Sequence, residues 1–567
     1  MLSQIELKSN EERCVTRVVE AANVNVVRPR TSDYYRAIVL AFVLCGVFTL
    51  TGLLVPPSLS HDAGWGMQEW RTLAAGGPIN TIISADPKDI SRDQARLVTW
   101  WSPGQYVIPG IFTLLGVRLG AALTITAAVS LLFCLLGWIY VAKHFALSPR
   151  TAILVVLLIA TFRYSTLPFG IYNGGEILLQ GITPWLILTG ARVPVMGALR
   201  AAGLVFFVIW IAFFAKLTGV MVASAALIAG SVEALIRLRR LTTGMVAGAF
   251  GAILALGSLY VVWFSRGSTP ASGAGWSFRS SDVFFALAAP WGAAISWGDM
   301  LMALLRRSTL GDPIEGQLSA TFLWLLLPPV VVFVTVLVKG WKQRTGDENL
   351  ARLLVITATF YVVCALAMSA IFLHGGDVSL EERHLRSAGM LILLCVLVVA
   401  GRLPRKSVSL LAVGALCGVT TLFGCFAFAH RAWSTKYGEI DHYSRTVQAS
   451  IDRSAIEFVR TAFAREGRDA LFVLPSPDAA CALLPAARIL SNHIEFDSEA
   501  TIAARTFHGK VRRLYVIMPT HIAESTKGIL TLKEFTDYPV DLWERHIFDK
   551  TTVFVQGASD VVALGHS

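Results

Sequence analysis

The chain has 567 residues, of which 54% are hydrophobic and 15% charged, and its mean hydropathy is +0.60. Soluble domains carry about 25% charged residues, so the composition excludes a soluble globular protein and points to a polytopic membrane protein, with apolar stretches long enough to cross a hydrocarbon core about 30 Å thick. The net charge of +11 does not call for nucleic acid, because Arg and Lys gather in turns between apolar segments, as they do on the cytoplasmic side of membrane proteins.

Residues 1–36 hold Lys8, Arg13, Arg17, Arg28, Arg30 and Arg36, and such a basic flank predicts a cytoplasmic N-terminal segment. The first span is expected at 37–55, closed by Pro56-Pro57. Residues 56–103 then form a long polar loop on the outer side, opening with His61-Asp62-Ala63-Gly64-Trp65-Gly66 and ending in Trp100-Trp101-Ser102-Pro103-Gly104-Gln105-Tyr106. Paired Trp with Tyr suits a membrane interface. Residues 105–116 read as a short interfacial helix and 119–142 as the second span. A third span at 151–168 contains Arg163, a charge that needs a protein cavity or the interface. The fourth, 177–191, is interrupted by Gln180 and Pro184.

Residues 201–236 would reach about 54 Å as one helix, so an outer turn is placed at Ala215-Lys216-Leu217-Thr218-Gly219, giving two spans. The seventh span is 244–264, and 265–318 is a second long outer loop whose stretch 283–305 is expected in the interface. Further spans fall at 319–338, 350–373, 387–401 and 407–429, with the outer turn Glu381-Glu382-Arg383-His384 before the tenth. Each predicted inner turn has at least two Lys or Arg. The resulting fold class is an α-helical polytopic membrane protein of about 11 transmembrane helices (37–429) with long outer loops.

Residues 430–567 are richer in charge. Leu471–Leu474, Leu514–Met518 and Thr552–Val555 read as buried strands, and helical patterns lie at 441–465 and 521–535. A small C-terminal α/β extracytoplasmic domain is expected, since an odd number of spans puts the N-terminus in the cytoplasm and the C-terminus outside. Its one cysteine, Cys481, allows no internal disulfide. It has no Gly-rich phosphate loop.

The candidate site gathers on the outer face: Asp62 after the first span, Glu176 before the fourth, Lys216 at a tight turn and Arg383 before the tenth. Ionisable groups at that depth line cavities. They suit transfer of a group from a lipid-linked phosphate. Lys and Arg would stabilise charge growing on the phosphate, a carboxylate would act as general base, and Trp100 and Trp101 could stack on a sugar.

In this order of parts the chain resembles the GT-C superfamily of integral-membrane glycosyltransferases. Asp62 matches the aspartate after the first span, Trp101-Ser102-Pro103-Gly104-Gln105-Tyr106 the aromatic-proline stretch, Lys216-Leu217-Thr218-Gly219 the mid-chain lysine, and Glu382-Arg383-His384 the late outer turn. Many relatives have an acidic pair near the first aspartate, where Asp62 is followed here by Ala63-Gly64, and Glu176 is the candidate second acid. The resemblance implies a polyprenyl-phosphate sugar donor and a glycan, lipid or protein acceptor. It implies Asp62 as base and Lys216 and Arg383 as phosphate contacts; Arg163 is a further candidate phosphate contact, and His61, Trp100, Trp101, Tyr106, Glu382 and His384 are candidate substrate-binding groups. Some members need a divalent metal, and no ligand spacing compels one here. A bacterial inner membrane with a periplasmic active face is the expected location. The alternative class is a secondary transporter or flippase for a lipid-linked or anionic substrate, which would place its charges at the bilayer midplane. A nonenzymatic scaffold or receptor gives no reason for Lys216 and Arg163 inside apolar segments.

Overall fold

The structure, a computed structural model, describes residues 31–557 except 267–277, 306–319, 343–346, 376–377, 379, 405–406, 437–439, 441–444, 447–450, 483–486, 493 and 495–496. The N-terminal segment up to residue 30, and much of the loop 265–318, lie outside the described residues.

Helix α1 (Tyr35–Leu54) stops at Val55, before two prolines that cannot extend it. The segment after it is not a loop. It holds β1 (Ser58–Leu59), α2 (His61–Ala74), the antiparallel hairpin of β2 (Thr81–Asp86) and β3 (Asp89–Leu97), and α3 (Gly104–Leu114). Next come α4 (Leu119–His144) and α5 (Pro149–Thr161), which is bent 61° from the short helix α6 (Arg163–Thr166) and the turn after it. Then follow β4 (Ile171–Tyr172), α7 (Gly175–Arg192), α8 (Ala198–Ala215), α9 (Gly219–Leu238) and α10 (Thr243–Val262). The chain continues through α11 (Ser280–Ala293), α12 (Trp297–Leu305), α13 (Leu327–Lys342), α14 (Glu348–Leu373), α15 (Arg386–Ala400) and α16 (Val408–Lys436).

Among the described residues, 8 helices are long and apolar enough to cross a membrane, or 9 if the bent pair α5/α6 is one span. The expected eleven is therefore too many by that measure. The remaining two segments are helical but atypical. α15 has 15 residues, about 22 Å, and Met390 to Val396 are buried without a break, so it is sheathed by other helices rather than by lipid. α7 looks weak in sequence because its polar groups are satisfied inside the bundle. Gln180 donates to Ser165 Oγ at 2.5 Å, and Thr183 Oγ1 lies 2.8 Å from Ser387 Oγ. The stretch 283–305 is not interfacial throughout: α11 packs on α14 and α15, with Phe285, Ala286 and Ala289 fully buried. α16 runs on to Lys436, past the expected boundary at 429.

The C-terminal strands are β5 (Ala470–Leu474), β6 (Arg488–Ser491), β7 (Arg513–Pro519), β8 (Glu544–Ile547) and β9 (Thr551–Gly557), in the order β6-β5-β7-β9-β8. β5 pairs parallel with both β6 and β7, and β9 antiparallel with β7 and β8. The three apolar runs found in sequence are the three central strands. The edge strands read Arg-Ile-Leu-Ser and Glu-Arg-His-Ile, too short and polar to leave a hydrophobic signature. β5 is apolar throughout because both faces are covered. Phe472 and Leu474 pack under helix α17 (Arg453–Glu466), whereas Leu471 and Val473 face a second core that includes Phe535 and, from the hairpin, Ala85 and Ile90.

The sheet is thus fastened to the segment after α1. Gln68 of α2 donates to Pro477 O at 3.3 Å and to Ser491 Oγ at 2.5 Å, and Arg71 donates to Ala487 O at 3.2 Å. Arg468 and Arg488 both pair with Asp93 at 2.8 Å. At Gly64 the two backbones approach closely: a Cβ would stand 2.5 Å from Asp478 N and 2.8 Å from its Cα. Only glycine admits that backbone.

Candidate active site

The site is assembled by two-residue strand pairing. β1 runs parallel to β4, with Ser58 N–H donating to Gly170 O (3.0 Å) and Ser60 N–H to Tyr172 O (2.9 Å). This joins the chain entering α2 to the chain entering α7. Ser60 then caps α2, its Oγ accepting from Ala63 N–H at 3.3 Å, which puts Asp62 in the first turn. On the other side Gly174, at φ +72°, turns the chain into α7 and puts Glu176 in that first turn. The side chain of Gln105 fills the space a Cβ would need at Gly174. Both carboxylates therefore sit where helix N-termini favour negative charge.

Two cations complete the cluster. Between α8 and α9 the backbone of Lys216 is extended, with φ −162° and ψ 146°, and Gly219 N–H closes the turn on Lys216 O at 2.8 Å. Lys216 Nζ donates to Glu176 Oε1 at 2.6 Å. Arg383, in the turn Glu382–His384 before α15, donates through Nη1 to Asp62 Oδ2 at 2.7 Å and to Glu176 Oε1 at 3.2 Å. Its Nε pairs with Glu381 Oε2 at 3.0 Å. Charges alternate along the row Asp62, Arg383, Glu176, Lys216. Side-chain exposure is 26% for Asp62 and 21% for Arg383, against 15% for Lys216 and 7% for Glu176. Asp62 and Arg383 thus form the open end, and Glu176 the closed end that orients both cations.

His384 lies behind this row, buried, with neither ring nitrogen hydrogen-bonded among the described residues. Burial, and then the charges of Lys216, Arg383 and Arg386, hold it far below the usual histidine range and keep it neutral. Glu382 points away. Its Oε1 accepts from Gly298 N–H at 2.7 Å beside α11 and α12, and burial with Asp299 close by pushes its carboxyl well above the usual range. Arg386 reaches the same Asp299 at 2.9 Å.

The other sequence candidates are dispersed. The His61 ring stands at 90° to that of Trp65, centroids 6.4 Å apart. Tyr106 is fully buried, its hydroxyl donating to the Asn80 side chain and accepting from Asn80 N–H at 3.0 Å. Asn80 also donates to Trp101 O at 2.8 Å. Arg96 lies 5.6 Å over the Trp100 ring. Tyr106 and Trp100 are thus held against the hairpin and its flank. Arg163, at the α5/α6 bend, lies over Phe423 at 5.5 Å and lines a separate cavity against α16. Sequence reading passed over Glu381, whose adjacency to Glu382-Arg383 was its only signal, and Tyr172, whose hydroxyl donates to Gln105 O at 3.0 Å. Among the described residues no group of three or more His, Cys, Asp or Glu is arranged to hold a metal ion. Asp62, Glu176 and Glu381 instead share Arg383.

A helical membrane bundle with a structured segment after its first helix, an ion cluster at that end and an α/β layer above it is a fold shared with solved membrane proteins. The likeness is to crystal structures of ArnT from Cupriavidus metallidurans, one bound to undecaprenyl phosphate and one in the apo state. Each aligns with 91% of this chain and 97% of its own, at a TM-score of 0.50 and 12% identity. The arabinofuranosyltransferase AftD from Mycobacteria aligns at a TM-score of 0.47 and 15% identity, over 92% of this chain and 41% of that one. No protein-family model matches the sequence, and the search of curated proteins found no match.

Proposed function

We propose that the chain is an integral-membrane glycosyltransferase that moves a sugar from a polyprenyl-phosphate carrier to an acceptor on the extracytoplasmic face of a bacterial inner membrane. The observation that carries this reading is the meeting of Asp62, Glu176, Lys216 and Arg383 from four separate turns in one network of ion pairs. The shared fold with ArnT, solved with undecaprenyl phosphate bound, supports the choice of carrier.

Asp62, the more open carboxylate, takes the proton from the acceptor hydroxyl or amine as it attacks the anomeric carbon. The bond from that carbon to the phosphate oxygen breaks, and polyprenyl phosphate leaves with the bonding electrons. Lys216 and Arg383 meet the charge growing on the phosphate, in a site whose low exposure strengthens the interaction. Glu176 is a positioning residue: it holds both cations without touching the reacting atoms. Binding of the donor phosphate would compete with Asp62 for Arg383, freeing the base as the substrate arrives.

The test is transfer in membranes from a panel of radiolabelled polyprenyl-phosphate sugars, with Asp62→Asn beside the wild type. Transfer that the variant loses while still binding donor supports the assignment. Transfer that survives the substitution moves the base elsewhere. A protein that neither transfers nor binds any donor, but moves a lipid-linked substrate across vesicles, would replace the transferase with a flippase.

A further inference from the structure

A basic cavity of about 260 Å³ lies between α6, α12 and α16, lined by Arg163, Ala303, Phe423, Phe426, His430 and Arg431 among others. Among the described residues that line it none is a carboxylate. Arg431 donates from Nη2 to Ser58 Oγ at 2.9 Å, its Nε is buried without a partner, and among the described residues no carboxylate pairs with it. Arg163 converges from the opposite wall, its guanidinium over Phe423. Drawing the Arg431 guanidinium from water without a paired carboxylate is costly, and its planar fork can take a phosphate bidentately.

The cavity opens beside an apolar stripe on α16. Phe426 forms part of its wall and is 59% exposed, and Val419, Leu422 and Trp433 share its face at intervals of three, four and seven residues. On a membrane helix that stripe faces acyl chains. A headgroup anion between two arginines and a tail along the stripe would satisfy both features at once. We infer that this cavity binds an anionic glycerophospholipid, phosphate inward, as a lipid distinct from the sugar donor. Asp62 and Glu176, the carboxylates of the proposed transfer, do not line it. It does touch the active site's scaffold. Arg431 bonds Ser58 of β1 and packs its stem against Gly170, which leads into β4, so an occupant bears on the strand pair that holds Asp62 beside Glu176.

The test is equilibrium binding of radiolabelled phosphatidylglycerol to the purified full chain in non-ionic detergent. Saturable binding is expected, weakened tenfold or more in the Arg163→Gln/Arg431→Gln double variant and in Ala303→Trp, which fills the cavity and leaves both charges in place. Diacylglycerol, which has the tails without the phosphate, should not compete. The inference is overturned if binding is not saturable, or if Ala303→Trp, folded by size exclusion, binds as tightly as wild type. It also fails if inorganic phosphate displaces the lipid at equal concentration, which would make this a site for a free anion. Should the double variant not fold, Ala303→Trp decides alone.

Discussion

Glu176→Gln isolates the electrostatic part of the site, because the two side chains have the same size and differ in charge. In the native protein Glu176 Oε1 accepts from Lys216 at 2.6 Å and from Arg383 at 3.2 Å. A hydrogen bond to a charged group contributes about 1.5–3 kcal/mol and a neutral one about 0.5–1.5, so the weakening of two such bonds costs about 2–3 kcal/mol. Arg383 keeps Asp62 and Glu381, but Lys216, 15% exposed, loses its carboxylate. Breaking a buried pair from one side costs about 3–5 kcal/mol, and the expected destabilisation is about 4 kcal/mol at the upper end of that reasoning. Lys216→Met removes the stranded cation. In the double variant part of the loss should therefore return, giving a coupling of about 1–2 kcal/mol between the two positions. Denaturant unfolding of the detergent-purified wild type, both single variants and the double variant measures this. Effects that add to within about 0.5 kcal/mol would mean that the pair does not interact as the structure has it, and the closed end of the charged row would have to be abandoned.

Asp62→Asn should lower transfer by about 10²–10⁴-fold, the range of a lost general base, with donor binding retained in a filter assay. Arg383→Lys keeps the charge but loses the fork that spans Asp62 and Glu381 from two nitrogens, and should raise the KM for the donor more than conservation of charge would suggest. Gly64→Val forces a side chain against the backbone of Asp478, and overpacking of this kind costs about 1–3 kcal/mol; limited proteolysis should then cut the C-terminal α/β layer faster, and an unchanged digestion pattern would refute the docking. In that layer, burial pushes the Glu534 carboxyl up to about 7, against the pull of Arg505 and Asn492. The folded state therefore binds the proton more tightly than the unfolded one. Its stabilising contribution is full below the unfolded value of about 4.3 and fades as pH rises through 7. Unfolding midpoints should fall across that interval, and Glu534→Gln should flatten the fall.

Hydropathy made the bundle legible, since each apolar stretch has few ways to satisfy its backbone except as a helix. It also located the break at Lys216, because the 36 residues of the stretch 201–236 are too long for one crossing. Two of the eleven expected spans, α7 and α15, do not pass the test of length and apolar composition. Hydropathy cannot distinguish α15, apolar because other helices surround it, from a helix facing lipid, and it undervalued α7, whose Gln180 and Thr183 are paired inside. The first outer segment read as a loop because α2 is amphipathic and short and β3 is largely exposed; their order comes from docking on the C-terminal sheet, a contact between residues some 400 positions apart. Gly64, read as a departure from an acidic pair, is explained by that contact.

By itself the sequence determined the class of protein, the central strands of the C-terminal sheet, and a set of ionisable residues whose order along the chain marked one end of the bundle. It could not decide which of them meet. Asp62, Glu176, Lys216 and Arg383 are joined by a two-residue strand pair, a positive-φ glycine and an extended residue between two helices. Arg163, Trp100, Tyr106 and Glu382 satisfied the same sequence criteria and were drawn into other packing. Periodicity and composition act over one turn or one strand, and so are visible in a chain. Ion pairing between distant turns depends on distances of a few ångströms, which only the packed tertiary structure sets.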